Sequence, residues 1–423
     1  MKILILTPYV LFEDIPNFTK NRTGFAIMMN DIATSLSKKH VSVGILTQSS
    51  ITKGHSVGNI QLLRKTWIDI LKTIKPEYIL LATKLVLKRH SSFRDITRNI
   101  FYCISGGYIE KAIHVWKPDI IHIHSLTAET LPFLYISTKL NIPFLVTTHA
   151  IMPNKICYSD NKFSLKIEKN FYKLAEKNKI QVTTVSTGMK NRIIKKYNLE
   201  VGNNIHVITN GTNNKASKSL NIDIRDKYNI SPKDKIILCI GTIGIRKNQL
   251  QVLRAFDLLE ISLKNDLKLL FIGNDTLDGE LMKQIEKRGL VDNVKYCGFV
   301  EREELKNYYS QADYNVLASI DEGFGLSTIE AFCYGLPTLT FADLDAVKDL
   351  YHQDCMITVN CRNDEALTKG LVKLINRVWD DKFIRYHSEK FSLSAMADKY
   401  MELYNNISKS KISKDDFYNL LED

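Results

Sequence analysis

The sequence predicts an α/β protein built from two doubly wound, Rossmann-like domains facing across a cleft. Three observations predict it. Strand-like and helix-like stretches alternate through both halves of the chain; the strand stretches are short apolar runs, as buried parallel strands are; and one polar stretch, Thr212 to Asn221 (TNNKASKSLN), separates the halves as a linker would. At 423 residues each domain can bury its own core. The expected boundaries are 1–212 for the first domain and 213–390 for the second, with 391–423 a last helix pattern and a loosely held tail.

Composition narrows the class. With 44% hydrophobic and 25% charged residues the chain reads as soluble and globular. No apolar run reaches the roughly 18 residues of a membrane span. Residues Ile3 to Phe12 are apolar but are broken by Pro8 and followed by Glu13 and Asp14, so they read as a first strand and not a signal peptide. A cytoplasmic protein is expected. Seven cysteines without a C-x-x-C pair point to reduced thiols, and cysteine gives no support for a metal. The charge is lopsided. Residues 1 to 200 hold 29 Lys and Arg against 13 Asp and Glu, whereas the remainder hold 29 against 33. A basic first half suits an anionic acceptor or a membrane surface; with no zinc-finger or RNP-type motif, nucleic acid is set aside. Solvated lysine faces need no partner at all, and that reading stays open.

In chain order, KILILTPYV, TGFAIMMNDIATSLSKK and VSVGILT make a strand, helix, strand unit with Gly24 at the helix start, where backbone N–H groups could meet a phosphate. Residues 60 to 116 mix apolar and basic positions, as in LLRKTWIDILKTIK and YILLATKLVLKRH, with Lys84, Lys88 and Arg89 beside an apolar run. They read either as a basic amphipathic surface for anionic lipid or as ordinary helices with core faces. PDIIHIHS and PFLVTTHA are strand patterns ending in histidine. His122 and His124 share one strand face, compatible with metal ligation but lacking a third ligand and equally plain strand chemistry. His149 closes its strand, and strand C-termini are where open α/β sheets place ligands.

The second half opens on the strand DKIILCIGT, a loop with Arg246 and Lys247, and the helix pattern NQLQVLRAFDLLE. Two cations entering a helix start oppose its dipole, a conflict that an anion would resolve. Alternation continues to Ser319, and then comes Asp321 to Pro337 (DEGFGLSTIEAFCYGLP). Gly323 and Gly325 allow close backbone approach, Leu326, Ile329, Ala331 and Phe332 give a helical stripe, and Gly335 with Pro337 stops it. The helix start suits a phosphate. Glu322 and Glu330 would stand about 12 Å apart if the stretch between them were helical, wider than the roughly 5 to 9.5 Å of a glycoside-cleaving pair. Carboxylates on either side of a diphosphate, each accepting hydrogen bonds from hydroxyls, describe a nucleotide sugar. Asp343-Leu-Asp345 matches a D-x-D metal pattern, but it follows a strand as a helix cap would and reads as a decoy.

Glu322, Gly323, Phe324, Gly325, Leu326 and Glu330 resemble the signature of the retaining nucleotide-sugar glycosyltransferases of family 4, the glycosyl transferases of group 1. The resemblance covers most of the chain, is strongest from about Lys235 to Thr340, and implies the GT-B architecture, whose C-terminal helix often returns to the first domain. It implies that Glu330 holds the ribose hydroxyls, that Glu322 lies beside the donor sugar, and that the backbone from Phe324 through Ser327 to Thr328 binds sugar and phosphate oxygens. Lys247 matches the family's lysine and Arg246 its basic neighbour; Thr242 departs from an arginine often found there. Val300 ends a turn whose backbone touches the base, His149 hydrogen-bonds a sugar hydroxyl, and Arg22, Thr23 and Gly24 stand where a glycine-rich loop approaches the diphosphate. The resemblance implies a hexose moved with retention from a UDP- or GDP-sugar; the basic first half points to a glycan or lipid-linked acceptor in surface polysaccharide synthesis, on the cytoplasmic side of the membrane. No metal or other cofactor is implied, and a departing phosphate oxygen takes the acceptor proton. A non-catalytic nucleotide-sugar-binding protein and a sugar-nucleotide epimerase of the same architecture are the alternatives.

Overall fold

The computed structural model describes residues 1–423 other than 14, 16–17, 20–22, 49–52, 89–92, 128–129, 152–160, 201–203, 214–221, 408–411 and 422–423; the side chains of 87–88, 93–95 and 161–163 are also outside the description. The chain divides into two compact units, Met1–Thr209 with Leu393–Asp423, and Asn210–Ser392. The chain therefore passes between the units twice, once near the expected linker and once before the C-terminal helix. The first crossing lies three residues before the expected boundary because Thr212 is tied into the second unit: its N–H donates to the Phe391 carbonyl at 2.9 Å. Most of the expected linker, 214–221, lies outside the described residues.

Unit 1 holds an eight-stranded sheet built from β1 (Lys2–Thr7), β2 (Ser42–Thr47), β3 (His55–Val57), β4 (Ile60–Leu62), β5 (Ile120–His124), β6 (Phe144–Thr148), β7 (Gln181–Thr184) and β8 (Ile205–Val207). Their order is β3-β4-β2-β1-β5-β6-β7-β8, parallel except for the β3–β4 hairpin. The central strands β5 and β6 are buried at every position, which is why they read as unbroken apolar runs. The chain order reverses direction between β1 and β5, and such a switch point opens a crevice at the strand C-termini.

Unit 2 holds an all-parallel six-stranded sheet of β9 (Lys235–Ile240), β10 (Leu267–Ile272), β11 (Val294–Tyr296), β12 (Tyr314–Leu317), β13 (Thr338–Phe341) and β14 (Met356–Val359), in the order β11-β10-β9-β12-β13-β14. Strand periodicity explains its two cores. Along β9, Ile237 and Cys239 face one apolar cluster with Val252, Phe256 and Leu371, while Ile236 and Leu238 face the other with Tyr308, Tyr309 and Leu336. Each fully buried Ile or Leu is worth about 1.5–3 kcal/mol in removed apolar surface. The switch point of this sheet lies between β9 and β12, so their two following loops are neighbours.

At the C-terminus one expectation is corrected, that of a loosely held tail. The helix Leu393–Asn406 belongs to unit 1, where Met396, Ala397, Tyr400 and Tyr404 are buried. The tail is not loose: it forms a helix, Lys414–Leu421, with Phe417, Leu420 and Leu421 buried at helical spacing and Phe417 against the Tyr135 ring at 5.1 Å. Asp416 accepts from the Lys179 ammonium at 2.6 Å and pins it further.

Candidate functional site

In unit 2 the β9–β12 switch point brings together residues that are 75 positions apart in the chain. The loop after β9 carries Arg246 and Lys247, and the loop after β12 carries Ser319, Asp321 and Glu322. Lys247 Nζ donates to Glu322 Oε2, with both side chains largely buried (16% and 13% exposed). Ser319 Oγ donates to the same oxygen at 3.2 Å, and the Arg246 guanidinium stands 3.8 Å from it while donating to the Asp321 carbonyl at 3.2 Å. Burial works to raise the Glu322 pKa; the charges of Lys247 and then Arg246, with the hydrogen bonds from Lys247 and Ser319, outweigh it and hold the carboxyl below its ordinary value. Glu322 is thus a fixed anion.

Glycine makes this packing possible. A Cβ on Gly241 would sit 3.2 Å from the Lys247 stem, which lies across it. Gly325 takes φ +78° as the residue before the helix Leu326–Cys333, and no side chain caps that helix start. The Thr328 N–H donates to the Gly325 carbonyl at 2.9 Å; a helix start leaves its other first N–H groups for an acceptor from outside the helix, and the dipole there favours an anion. Phe324 is buried against the Phe391 ring, centroids 5.8 Å apart, so it can offer a ligand only backbone. Gly323, Leu326 and Ser327 are partly exposed around the same turn, whereas Thr328 is buried. Glu330, on the helix, accepts from the Tyr309 hydroxyl at 2.9 Å, and Tyr309 stacks on Tyr334. Val300 packs in the second core cluster, and Gly298 of its turn carries the carbonyl that accepts from Gly273 N–H at 2.9 Å.

The D-x-D pattern has a structural employment, although not the helix cap expected of it. Both Asp343 oxygens accept from the Arg362 guanidinium, at 2.8 and 2.7 Å, and the next helix starts after Ala346 without a side-chain cap. Arg362 also donates to the Ser319 carbonyl at 2.9 Å, so this pair braces the start of the Glu322 loop. Nothing in the sequence singled out Arg362, Ser319 or Tyr309; each is recognisable only once the strands are ordered.

Unit 1 gathers three histidines at the ends of β5 and β6. His122 Nε2 meets Thr147 Oγ1 at 2.7 Å, its Nδ1 meets the Tyr404 hydroxyl at 2.6 Å, and its ring lies 3.9 Å from that of His124. His124 Nδ1 in turn meets His149 Nε2 at 3.1 Å. Burial lowers the pKa of His122 to about 3, that of His149 to about 4, and that of His124 well below its ordinary value. His122 has both ring nitrogens occupied, so the H-x-H pair is a buried polar network. Among the described residues no group of three or more His, Cys, Asp or Glu is placed to hold a metal. The Phe25 ring, one residue after Gly24, stands edge-on to His149 at 5.1 Å, and Thr23 caps the helix Gly24–Ser37 through Ala26 N–H. Arg22 lies outside the described residues.

Across 60–116 the helices have core faces and also expose apolar side chains. Tyr78, Leu81 and Leu85 are core, yet Trp67, Ile68 and Leu71 of the helix Trp67–Leu71 are 57%, 62% and 66% exposed beside exposed Lys72. Lys84 sits over the Tyr418 ring at 4.1 Å; Arg89 and the Lys88 side chain lie outside the description. No helix among the described residues is long and apolar enough to cross a membrane.

Comparison with known proteins bears on this geometry. Residues 221–387 match the family model described as glycosyl transferases group 1, and residues 59–215 the model described as glycosyltransferase family 4. An uncharacterized glycosyltransferase of Methanocaldococcus jannaschii is 25% identical over 306 residues, 70% of this chain and 75% of that protein. The Escherichia coli O-antigen biosynthesis glycosyltransferase WclY is 28% identical over 48% of this chain and 56% of its own length. A Campylobacter jejuni N-acetylgalactosamine-N,N'-diacetylbacillosaminyl-diphospho-undecaprenol 4-alpha-N-acetylgalactosaminyltransferase is 28% identical over 42% of this chain and 46% of its own. For these last two, the match spans about half of the relative. Among solved structures, a glycosyltransferase from Rickettsia africae superposes with a TM-score of 0.68 at 20% identity, over 96% of this chain and 98% of that one. Anabaena HepE in complex with UDP superposes at 0.65 and 16% identity, over 96% and 100%. At such identities these two show the fold alone.

Proposed function

The chain belongs to the glycosyltransferases of group 1, family 4, with two Rossmann-like units of the GT-B kind, and on that premise we propose that it transfers a hexose from a UDP- or GDP-sugar with retention of configuration. The observation that carries the proposal is the cluster at the β9–β12 switch point, where Lys247 and Arg246 converge on Glu322 next to the uncapped helix start after Gly325. Cations and helix dipole together offer a diphosphate what a metal would otherwise supply, and they stabilise it as it leaves. In this reading Lys247 exchanges part of its bond to Glu322 for a phosphate oxygen, and Glu322 turns to the sugar. Glu330, already accepting from Tyr309, takes the ribose hydroxyls. The backbone of Phe324 to Thr328 binds phosphate and sugar oxygens, and the turn ending at Val300 meets the base. On unit 1, His149 hydrogen-bonds a sugar hydroxyl, and the Gly24 helix start is a further phosphate-facing group.

No side chain need act as nucleophile. Glu322 Oε2 is committed to three donors or cations, which suits a charge partner better than an attacking group. The glycosyl bond to the leaving phosphate breaks, the acceptor oxygen bonds to the anomeric carbon on the same face, and the departing phosphate oxygen takes the acceptor proton. The acceptor is proposed to be a glycan or lipid-linked intermediate of surface polysaccharide, in keeping with the relatives' printed roles. Exposed Trp67, Ile68 and Leu71 beside Lys72 support a peripheral contact with an anionic membrane on the cytoplasmic side.

The test is incubation with UDP- and GDP-hexoses and simple alkyl glycosides, followed by NMR of the product's anomeric centre and mass spectrometry of the protein. Retained configuration with an unmodified Glu322 is expected, and a glycosyl adduct on Glu322 would replace this mechanism by a double displacement. Sugar turnover without an acceptor would favour the epimerase.

A further inference from the structure

His124 Nδ1 and His149 Nε2 lie 3.1 Å apart, so one of the two nitrogens carries the hydrogen and the other the lone pair. Two neutral arrangements exist. In the first, His124 donates from Nδ1 and His149, accepting at Nε2, carries its own hydrogen on Nδ1. In the second, His149 donates from Nε2, its Nδ1 is bare, and His124 keeps its hydrogen on Nε2. The far nitrogen of His124 distinguishes them. His124 is wholly buried, and its Nε2 has no hydrogen-bond partner among the described residues. His122, packed against the same ring, has both nitrogens taken by Thr147 and Tyr404 and cannot supply one. The second arrangement strands an N–H at that point, whereas the first leaves a lone pair; buried donors without acceptors are the rarer defect in folded proteins. A charged ring is opposed by burial, which lowers the pKa of both histidines.

We infer that His124 is a positioning residue that fixes His149 in the tautomer with its hydrogen on Nδ1, so that His149 presents a hydrogen-bond donor, and not a general base, to an oxygen lone pair of a sugar hydroxyl. That His149 meets the sugar is the reading proposed above; the tautomer stands independently of it. His149 is only partly buried, and its Nδ1 takes no partner among the described residues, which leaves that atom for a ligand.

The test is long-range proton–nitrogen correlation spectroscopy of the full chain labelled with 15N-histidine, in which a ring nitrogen bearing hydrogen resonates far from a bare one. The His149→Asn variant identifies the His149 signals. Near neutral pH, Nδ1 of His149 is expected to carry the hydrogen and Nε2 to be bare; the reverse pattern overturns the inference. His124→Asn, whose amide N–H can stand in for the lost donor, is expected to keep the wild-type His149 pattern, whereas His124→Leu shifts His149 toward a mixture of both tautomers. An unchanged His149 pattern in His124→Leu also overturns it. If the tautomer is as inferred but His149→Asn leaves binding of UDP- and GDP-hexoses and their turnover unchanged, the role of His149 toward the sugar fails and the tautomer remains.

Discussion

At the scale of residues, the account rests on a carboxylate held by cations and on a second carboxylate one helix further on. Lys247→Met leaves Glu322 with the mostly exposed Arg246, 3.8 Å away, as the remaining cation described in this cluster, and removing one partner of a largely buried pair is expected to cost about 2–4 kcal/mol. Denaturant unfolding checks this, and a cost below about 0.5 kcal/mol would mean the pair is screened like a surface contact. Glu330→Gln should keep an acceptor for Tyr309 and so preserve stability, while weakening nucleoside diphosphate binding by about 10- to 100-fold through loss of a charged hydrogen bond. Titration calorimetry would show it, and unaltered affinity would remove Glu330 from the ribose. The two glutamates and the two cations were recognisable in the sequence because glycines and a helix start surround them. Their direct pairing was not: Lys247 and Glu322 are 75 positions apart, and only the adjacency of β9 and β12 makes them neighbours.

At the scale of elements, the turn before the helix Leu326–Cys333 is the part most dependent on one residue. Gly325 has φ +78°, and an added Cβ would lie 3.0 Å from Leu317 Cδ2. Gly325→Ala should therefore cost about 1–3 kcal/mol from left-handed strain and crowding, lowering the melting temperature of unit 2 by several degrees. A thermal scan that shows no loss would mean the turn relaxes into another conformation. This helix was legible because Gly325 and Gly335 punctuate it. Other elements were illegible for physical reasons. The hairpin of His55–Val57 with Ile60–Leu62 has strands of three residues, too short for a periodic pattern. The helix Lys414–Leu421 has eight residues, marginal alone, and it exists because Phe417, Leu420 and Leu421 find unit 1 to pack against.

At the scale of the whole molecule, the C-terminal return of the chain and the buried histidines make the stability of unit 1 depend on pH. His122 and His149 have folded pKa values of about 3 and 4, below the ordinary histidine value of about 6.5. Between those values the unfolded chain binds more protons than the folded one, so stability falls as pH drops from about 6.5 toward 4. The slope is up to about 1.4 kcal/mol per pH unit for each histidine. Urea midpoints that do not move between pH 7 and pH 5 would contradict this. Deleting 393–423 removes the Tyr404 hydroxyl from His122 and the packing of two helices, and should lower the melting temperature of unit 1. The alternating order of strand and helix was readable along the chain; the second crossing between units came only from the family resemblance and not from any pattern of the residues, since it depends on which unit Tyr400 and Tyr404 find, and their partner His122 lies 282 residues away from Tyr404. The central claim is a diphosphate site made of side-chain cations and a helix start. Its most direct test is the thermal shift of the purified protein with UDP, GDP and their hexoses, each with and without chelator. A rise in melting temperature with one nucleotide family, undiminished by chelator and lost in Lys247→Met, is expected. No rise with any of them, or a rise that chelator abolishes, would contradict the account.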